Sequence, residues 1–347
     1  MQTRRLGRTD LHVPVLCLGT MMMGDQIDEP ASQKQMDACF DRGLNFFDTA
    51  ELYTIPPRAE TQGESERIIG RWMKARKNRT DTIIASKVTG RSQMDWIRGG
   101  EECRLTRDQI VAAVERSLKN LETDYIDLYQ THWPDRRVQL FGSSRYGYVH
   151  HEDESVPIEE TLRALDDLVS AGKVRHVGVS NETAYGVMAH LRASAEHGLA
   201  RIVSIQNAYN FLNRTFETGL AEIAMREDVG LLAYSPLAQG VLSGKYLGGA
   251  RPEGSRKAFM DRMQRYETEG VETAVRRYID IARGFDCDPA AFAMAFVTSR
   301  PFLTSNIFGA HGEDQLQTIF DSLEIKWSDE MEQAVNAAFA EVQNPAP

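Results

Sequence analysis

The sequence is short of cysteine, of basic charge and of long apolar runs, and each shortage closes off a class of protein. The four cysteines among its 347 residues, Cys17, Cys39, Cys103 and Cys287, lie far apart, with no Cys-x-x-Cys pair. That pattern builds neither a disulfide scaffold nor a zinc site, and reduced thiols in a cytoplasmic protein are the expectation. Lys and Arg number 40 against 50 Asp and Glu, a net charge of −10. This argues against a nucleic-acid partner, whose footprint is a clustered basic surface, and against an anionic membrane. No apolar run approaches the ~18 residues of a membrane span, so no membrane insertion is expected. Residues 11–23 follow Arg4, Arg5 and Arg8 and are mildly apolar, but Pro14 and Gly19 interrupt them and no Ala-x-Ala follows. They are not read as a secretory leader. Fixed-period repeats and low-complexity linkers are also missing, and the chain is read as one domain over residues 1–347.

What is there is an alternation of two periodicities. Apolar, β-branched or aromatic runs begin near residues 13, 45, 82, 125, 174, 201, 230 and 304. Between them lie stretches of helical period. In residues 107–121, for example, Ile110, Ala113, Val114, Leu118 and Leu121 share one face. Residues 32–41, 64–73, 158–168, 182–195, 216–226 and 313–323 read the same way. Strands alternating with helices predict parallel β-α units. Eight of them predict an α/β fold, the (β/α)8 TIM barrel, with a doubly wound open sheet as the alternative. Long loops at 89–106 and 133–157, a Gly-rich stretch after the seventh strand, extra helices at 266–284 and 289–299, and a last helix at 328–342 are additions to that plan. In a barrel these loops lie at the C-terminal face, where active sites sit.

The strand ends carry Asp48, Lys87, His132, Ser180 with Asn181, Gln206, and Tyr234 with Ser235. A purely structural barrel does not need an acid, a lysine and a histidine on three successive strands. A partly buried Lys87 needs a counter-charge, and Asp48 on the neighbouring strand can supply it. An ammonium nearby is expected to lower the phenol of Tyr53 from its ordinary value of about 10. A tyrosine so tuned is a general acid for an alkoxide forming on a carbonyl carbon, and His132 can orient the same oxygen. None of these side chains is redox-active, so reduction would need a cofactor as electron source.

The motifs FDTAELY (47–53), ASKV (85–88), YQTHWPD (129–135), GVSN (178–181), IQNAYN (205–210), AYSPLAQGVLSGKY (233–246) and GAHGEDQL (309–316) resemble, in order and over nearly the whole chain, the aldo-keto reductases. Within that family the resemblance is to the branch of the bacterial Tas-type NADP(H)-dependent reductases and the potassium-channel β subunits, with PPRAETQGESE (56–66) particularly Tas-like. It implies a barrel that binds a nicotinamide dinucleotide without a Gly-x-Gly-x-x-Gly fingerprint. It also implies a catalytic tetrad of Asp48, Tyr53, Lys87 and His132. By the same resemblance Ser180, Asn181 and Gln206 hold the carboxamide, Tyr234 stacks on the nicotinamide, and Gly19 and Thr20 lie beside the cofactor. The stretch holding Ser235, Leu237, Gln239 and Gly240, together with Lys245, clasps the pyrophosphate. Arg256 meets the adenosine phosphate, and Gly309, His311 and Gln315 form the last contact.

The chain departs from the family in two places. His311 and Gly312 stand where many members have Lys or Arg against the 2′-phosphate, and Ile319 stands where an Asn meets the adenine. Lys245 and Arg256 still favour NADP(H), because a 2′-phosphate rewards a guanidinium fork, with NAD(H) possible. Trp96 and Trp133 are read as walls of the substrate pocket, Met21–Met23 as packing at the barrel mouth, and His150–Glu154 as a solvated loop with no metal. The function expected is reduction of a small-molecule aldehyde or ketone by a monomer or homo-oligomer. A cofactor-binding, redox-sensing module serving a protein partner is the alternative. A Schiff-base lyase using Lys87 is disfavoured because pairing with Asp48 keeps the amine protonated.

Overall fold

Eight parallel strands close into a barrel in the computed structural model, which describes residues 1–152, 154–259 and 263–347. A two-stranded antiparallel hairpin, β1 (Thr3–Arg5) with β2 (His12–Pro14), precedes it. The staves follow in chain order: β3 (Leu16–Gly19), β4 (Phe46–Asp48), β5 (Ile83–Val88), β6 (Ile126–Thr131), β7 (Val174–Ser180), β8 (Ile202–Ala208), β9 (Gly230–Tyr234) and β10 (Leu303–Phe308). Pairing of β10 with both β9 and β3 closes the ring. The expected TIM barrel is therefore the observed fold. The staves read as nearly continuous apolar runs because both of their faces are covered, as in β5 and β6, where every residue is buried.

The single strand expected from residue 13 to residue 20 is in fact two elements. Its first half pairs with β1 and its second half is the stave β3. The hairpin closes the bottom of the barrel. Leu6 and Val13 join Cys17, Phe46, Leu128 and Ile307 in a fully enclosed apolar plug. Gly7 is needed there: its φ is +56°, and a Cβ would sit 2.5 Å from the carbonyl oxygen of Val203. Arg4, part of the basic start of the chain, donates to the carbonyls of Thr298, Arg300 and Leu303 at 2.8, 3.0 and 2.6 Å. Its role is to tie the plug to β10.

Helices cover the outside: α1 (Glu29–Phe40), α2 (Glu64–Arg76), α3 (Arg107–Leu121), α4 (Ile158–Ser170), α5 (Ala184–His197) and α6 (Leu220–Glu227). After β9 come α7 (Arg256–Phe259), α8 (Val271–Gly284) and α9 (Pro289–Thr298), then α10 (Glu313–Asp321) and α11 (Asp329–Glu341). The face expected for α3 is the buried one. Helix α1 starts earlier than its apolar period suggests, because the Asp28 side chain caps the Ala31 N–H and a proline follows at the first turn. Helix α6 starts later than expected, because Gly219, at φ +146°, separates it from a short turn. Trp72 shows how the helices are seated: its indole lies edge-on to Phe40 and Phe47, 5.6 and 5.3 Å between centroids, joining α1, α2 and β4.

Candidate active site

The six staves β4 to β9 deliver polar side chains to the C-terminal rim. Register sets the neighbours: Gly19 pairs with Asp48, Asp48 with Ala85, Lys87 with Gln130, and Ser180 with Gln206. Beyond β4 the chain turns, with the Tyr53 N–H donating to Ala50 O at 3.0 Å, and brings Tyr53 back over the rim. Lys87 is completely buried and uses all three of its donors. Its Nζ lies 2.7 Å from Asp48 Oδ2, 2.8 Å from Thr49 O and 3.3 Å from Tyr53 Oη. The other Asp48 oxygen, Oδ1, accepts from Gln206 Nε2 at 2.8 Å, a bond that crosses the barrel. His132 meets Tyr53 edge-on at 5.6 Å and lies 4.9 Å from the ring of Trp133.

The electrostatics follow from burial with one paired charge. Burial alone would lower the Lys87 ammonium, but Asp48 and Tyr53 outweigh it and hold the amine above its ordinary range. Burial pushes His132 well below 6.5, and the Lys87 charge adds to that, so the imidazole is neutral. The Tyr53 phenol moves opposite to the expectation. Burial raises it above 10, and the attraction of Lys87 only partly opposes that rise. Lys87 therefore restrains the phenol but does not bring it toward neutrality.

A second set of side chains continues this network. Ser180 Oγ donates to Gln206 O at 2.8 Å, Asn181 Nδ2 to His132 O at 2.9 Å, and Tyr234 Oη to Asn181 Oδ1 at 2.7 Å. Asn181, Ser235, Ala238 and Gln239 all have left-handed backbone φ between +49° and +59°, a concentration of strain along one rim. Thr20 is fully buried, and its hydroxyl donates to Asp48 O at 3.0 Å, so it braces the rim. Leu237 accepts the Gly240 N–H at 2.8 Å and packs on the core.

Farther around the rim, Lys245 sits beside Gly240, where a Cβ would be 3.0 Å from its Cε. Buried polar atoms without hydrogen-bond partners gather here: Gln239 Oε1, Tyr246 Oη, Ser255 Oγ, Arg256 Nε and His311 Nε2. Such atoms are costly unless something polar meets them, and those able to donate, on Tyr246, Ser255, Arg256 and His311, suit a polyanion such as a dinucleotide, while Gln239 Oε1 can only accept. Gln315 turns its Oε1 onto the His311 N–H at 3.0 Å, and Gly309 lies against Met22. Burial holds His311 below 6.5, with Lys245 adding to the effect, so it brings no charge. Ile319 is buried in the apolar core.

Trp133 and Trp96 belong to one apolar cluster with Leu52, Ile97 and Cys103. The Trp133 indole N–H donates to Arg91 O at 2.8 Å, which fixes the ring beside His132. The sequence reading missed three members of this face. Glu51, inside FDTAELY, forms a buried ion pair with Arg98 at 2.5 Å and accepts the Thr89 N–H at 2.7 Å, tying loop 89–106 to the turn that carries Tyr53. Phe141 and Arg265 come from the two longest loops. His150 and Glu152 are exposed, and Asp153 lies outside the described residues. Among the described residues no cluster of three or more His, Cys, Asp or Glu is placed to hold a metal. A cavity of about 320 Å³ lies between α4 and α5 and is lined in part by Pro134, Asp135 and Arg136 of the segment that follows His132.

The fold and this rim define an aldo/keto reductase-type oxidoreductase, and the chain belongs to that family: its sequence profile matches residues 15–339. Among individual proteins, the chain is 44% identical to "Protein tas" of Escherichia coli over the full length of both. It is 40% identical to an "Aldo-keto reductase" of Babesia bovis over 68% of this chain and 87% of that protein. It is 30% identical to a "Probable voltage-gated potassium channel subunit beta" of Arabidopsis thaliana over 94% of this chain and 92% of that protein.

Proposed function

We propose that the protein reduces aldehydes or ketones to alcohols with NADPH, using Tyr53 as proton donor. The observation that carries this reading is the bridging position of the Lys87 ammonium, 2.7 Å from Asp48 and 3.3 Å from the Tyr53 hydroxyl. A bound reduced nicotinamide supplies the hydride, which none of these side chains can. Ser180, Asn181 and Gln206 would hold its carboxamide, with Tyr234 against the ring and Gly19 and Thr20 beside it. Ser235, Leu237, Gln239, Gly240 and Lys245 would hold the pyrophosphate, and Arg256, Gly309, His311 and Gln315 the adenosine end.

Tyr53 keeps its proton throughout the neutral range and gives it to the carbonyl oxygen as negative charge develops there. Lys87 steadies the phenolate left behind, and Asp48 keeps Lys87 charged. Neutral His132 orients the carbonyl oxygen by hydrogen bonding and is not the proton source. Trp96 and Trp133 wall the substrate side and keep it dry. The chain acts as one domain over residues 1–347, cytoplasmic, as a monomer or homo-oligomer. Among the described residues no helix is long and apolar enough to cross a membrane.

Loss of NADPH absorbance with a panel of aldehydes and ketones tests this reading. Carbonyl-dependent oxidation, with the alcohol recovered in equal amount, is the expected result. Tight NADPH binding without turnover of any carbonyl would contradict it.

A further inference from the structure

Three cations line the C-terminal face, Lys245, Arg256 and Arg265, and among the described residues none of them reaches a carboxylate. In a chain with ten more acidic than basic residues, that is a deliberate concentration of unpaired positive charge. Lys245 and Arg256 match the phosphates of the cofactor in the reading above. Arg265, close enough for Arg256 to feel its charge, is left over, and it packs against Tyr234 and Phe141.

Its position is well defined. The guanidinium lies 5.3 Å from the centroid of Phe141 and 5.9 Å from that of Tyr234, held between two aromatic rings. Phe141 is in turn edge-on to Trp133 at 6.1 Å, and Trp133 flanks His132. The stem is held from loop 133–157: a Cβ on Gly142 would be 3.3 Å from Arg265 Cγ. Arg265 thus shares a wall with the space in front of His132 and Tyr53. Its polar neighbours are the hydroxyls of Tyr234, at 3.5 Å, and Tyr266, a weak use of five N–H donors. Of the other charges near the reacting position, Lys87 is paired with Asp48 and His132 is neutral, while Arg256, which also lies within electrostatic reach of Tyr53, is assigned to the cofactor.

We propose that Arg265 is a specificity-determining residue that binds a carboxylate on the substrate, so that the preferred substrates are aldehydes or ketones carrying an anionic group. The planar fork held between Phe141 and Tyr234 presents its edge to such a group, and a carboxylate matches that edge with two parallel hydrogen bonds. This inference rests on the carbonyl-reductase reading of the same site.

The test compares 4-carboxybenzaldehyde with its uncharged methyl ester, using NADPH, in wild type, Arg265→Gln and Arg265→Lys. Wild type is expected to favour the carboxylate by at least tenfold in kcat/KM, Arg265→Gln to lose that preference, and Arg265→Lys to keep part of it. Raising the salt should raise KM for the carboxylate and leave the ester unmoved, a readout on wild type that does not depend on any variant folding. Benzoate and benzamide are titrated in parallel by intrinsic fluorescence, and only benzoate should bind in an Arg265-dependent way. No preference in wild type, a preference surviving in Arg265→Gln, or an Arg265→Gln defect in NADPH affinity rather than benzoate affinity would each overturn the proposal. Arg265-dependent benzoate binding without turnover of either aldehyde would leave the anion site standing and sink the reductase reading instead.

Discussion

Gln206 donates its side-chain N–H across the barrel to Asp48 Oδ1 at 2.8 Å, while Lys87 holds the other oxygen of the same carboxylate. A residue assigned to the cofactor's carboxamide thus also positions the acid that keeps the lysine charged. Gln206→Leu should therefore lower kcat as well as cofactor affinity, each by roughly tenfold, the scale of losing one hydrogen bond to a charged group. A loss confined to the Kd of NADPH would show that the Asp48 contact is idle.

The Asp48–Lys87 pair is buried at 3% and 0% side-chain exposure. Removing one partner leaves an uncompensated charge in the barrel, so Lys87→Met should cost about 3–5 kcal/mol of stability. The double variant Lys87→Met with Asp48→Asn should recover much of that and none of the activity. Urea unfolding of the wild type and these two variants measures this. A double variant no more stable than Lys87→Met would refute the charge argument.

The pH dependence has a fixed sign at each end. Burial depresses His132, His176 and His190 below 6.5. As the pH falls below that value the unfolded chain takes up protons that the folded chain refuses, so stability present at neutral pH is lost on the acid side. Burial raises Tyr53 above 10, so its contribution is complete below pH 10 and is lost as the pH climbs through the folded value. Carbonyl reduction, which needs the protonated phenol, should stay level through neutral pH and decline only in strong alkali. A rate profile that breaks near pH 7 would contradict this assignment.

Arg256 carries a buried Nε without a partner, and burial lowers its guanidinium below the usual arginine range. A phosphate there would relieve both. Arg256→Ala should weaken NADPH much more than NADH in parallel fluorescence titrations. Equal losses would show that Arg256 does not read the 2′-phosphate.

The barrel and the four rim residues were legible because they follow from local pattern. A stave buried on both faces reads as an apolar run, and a polar residue ending each run must point into the mouth. Other features depend on what the loops do. Arg265 and Phe141 lie far apart in sequence and meet only because two long loops fold over the same edge. The Glu51–Arg98 pair is hidden for the same reason, although Glu51 stands within the motif that drew attention to Tyr53. The direction of the Tyr53 shift was misread because spacing reveals that a lysine is near but not how deeply the phenol is buried. The hairpin β1–β2 was missed because three-residue strands with charged side chains carry no usable periodicity.

Tyr53→Phe tests the central claim most directly. Single-turnover oxidation of bound NADPH by an aldehyde should slow by ~10²-fold or more, the usual scale of a positioned proton donor. The Kd for NADPH should be unchanged. A variant that turns over at close to the wild-type rate would show that the proton comes from elsewhere, and the assignment of this rim would fail.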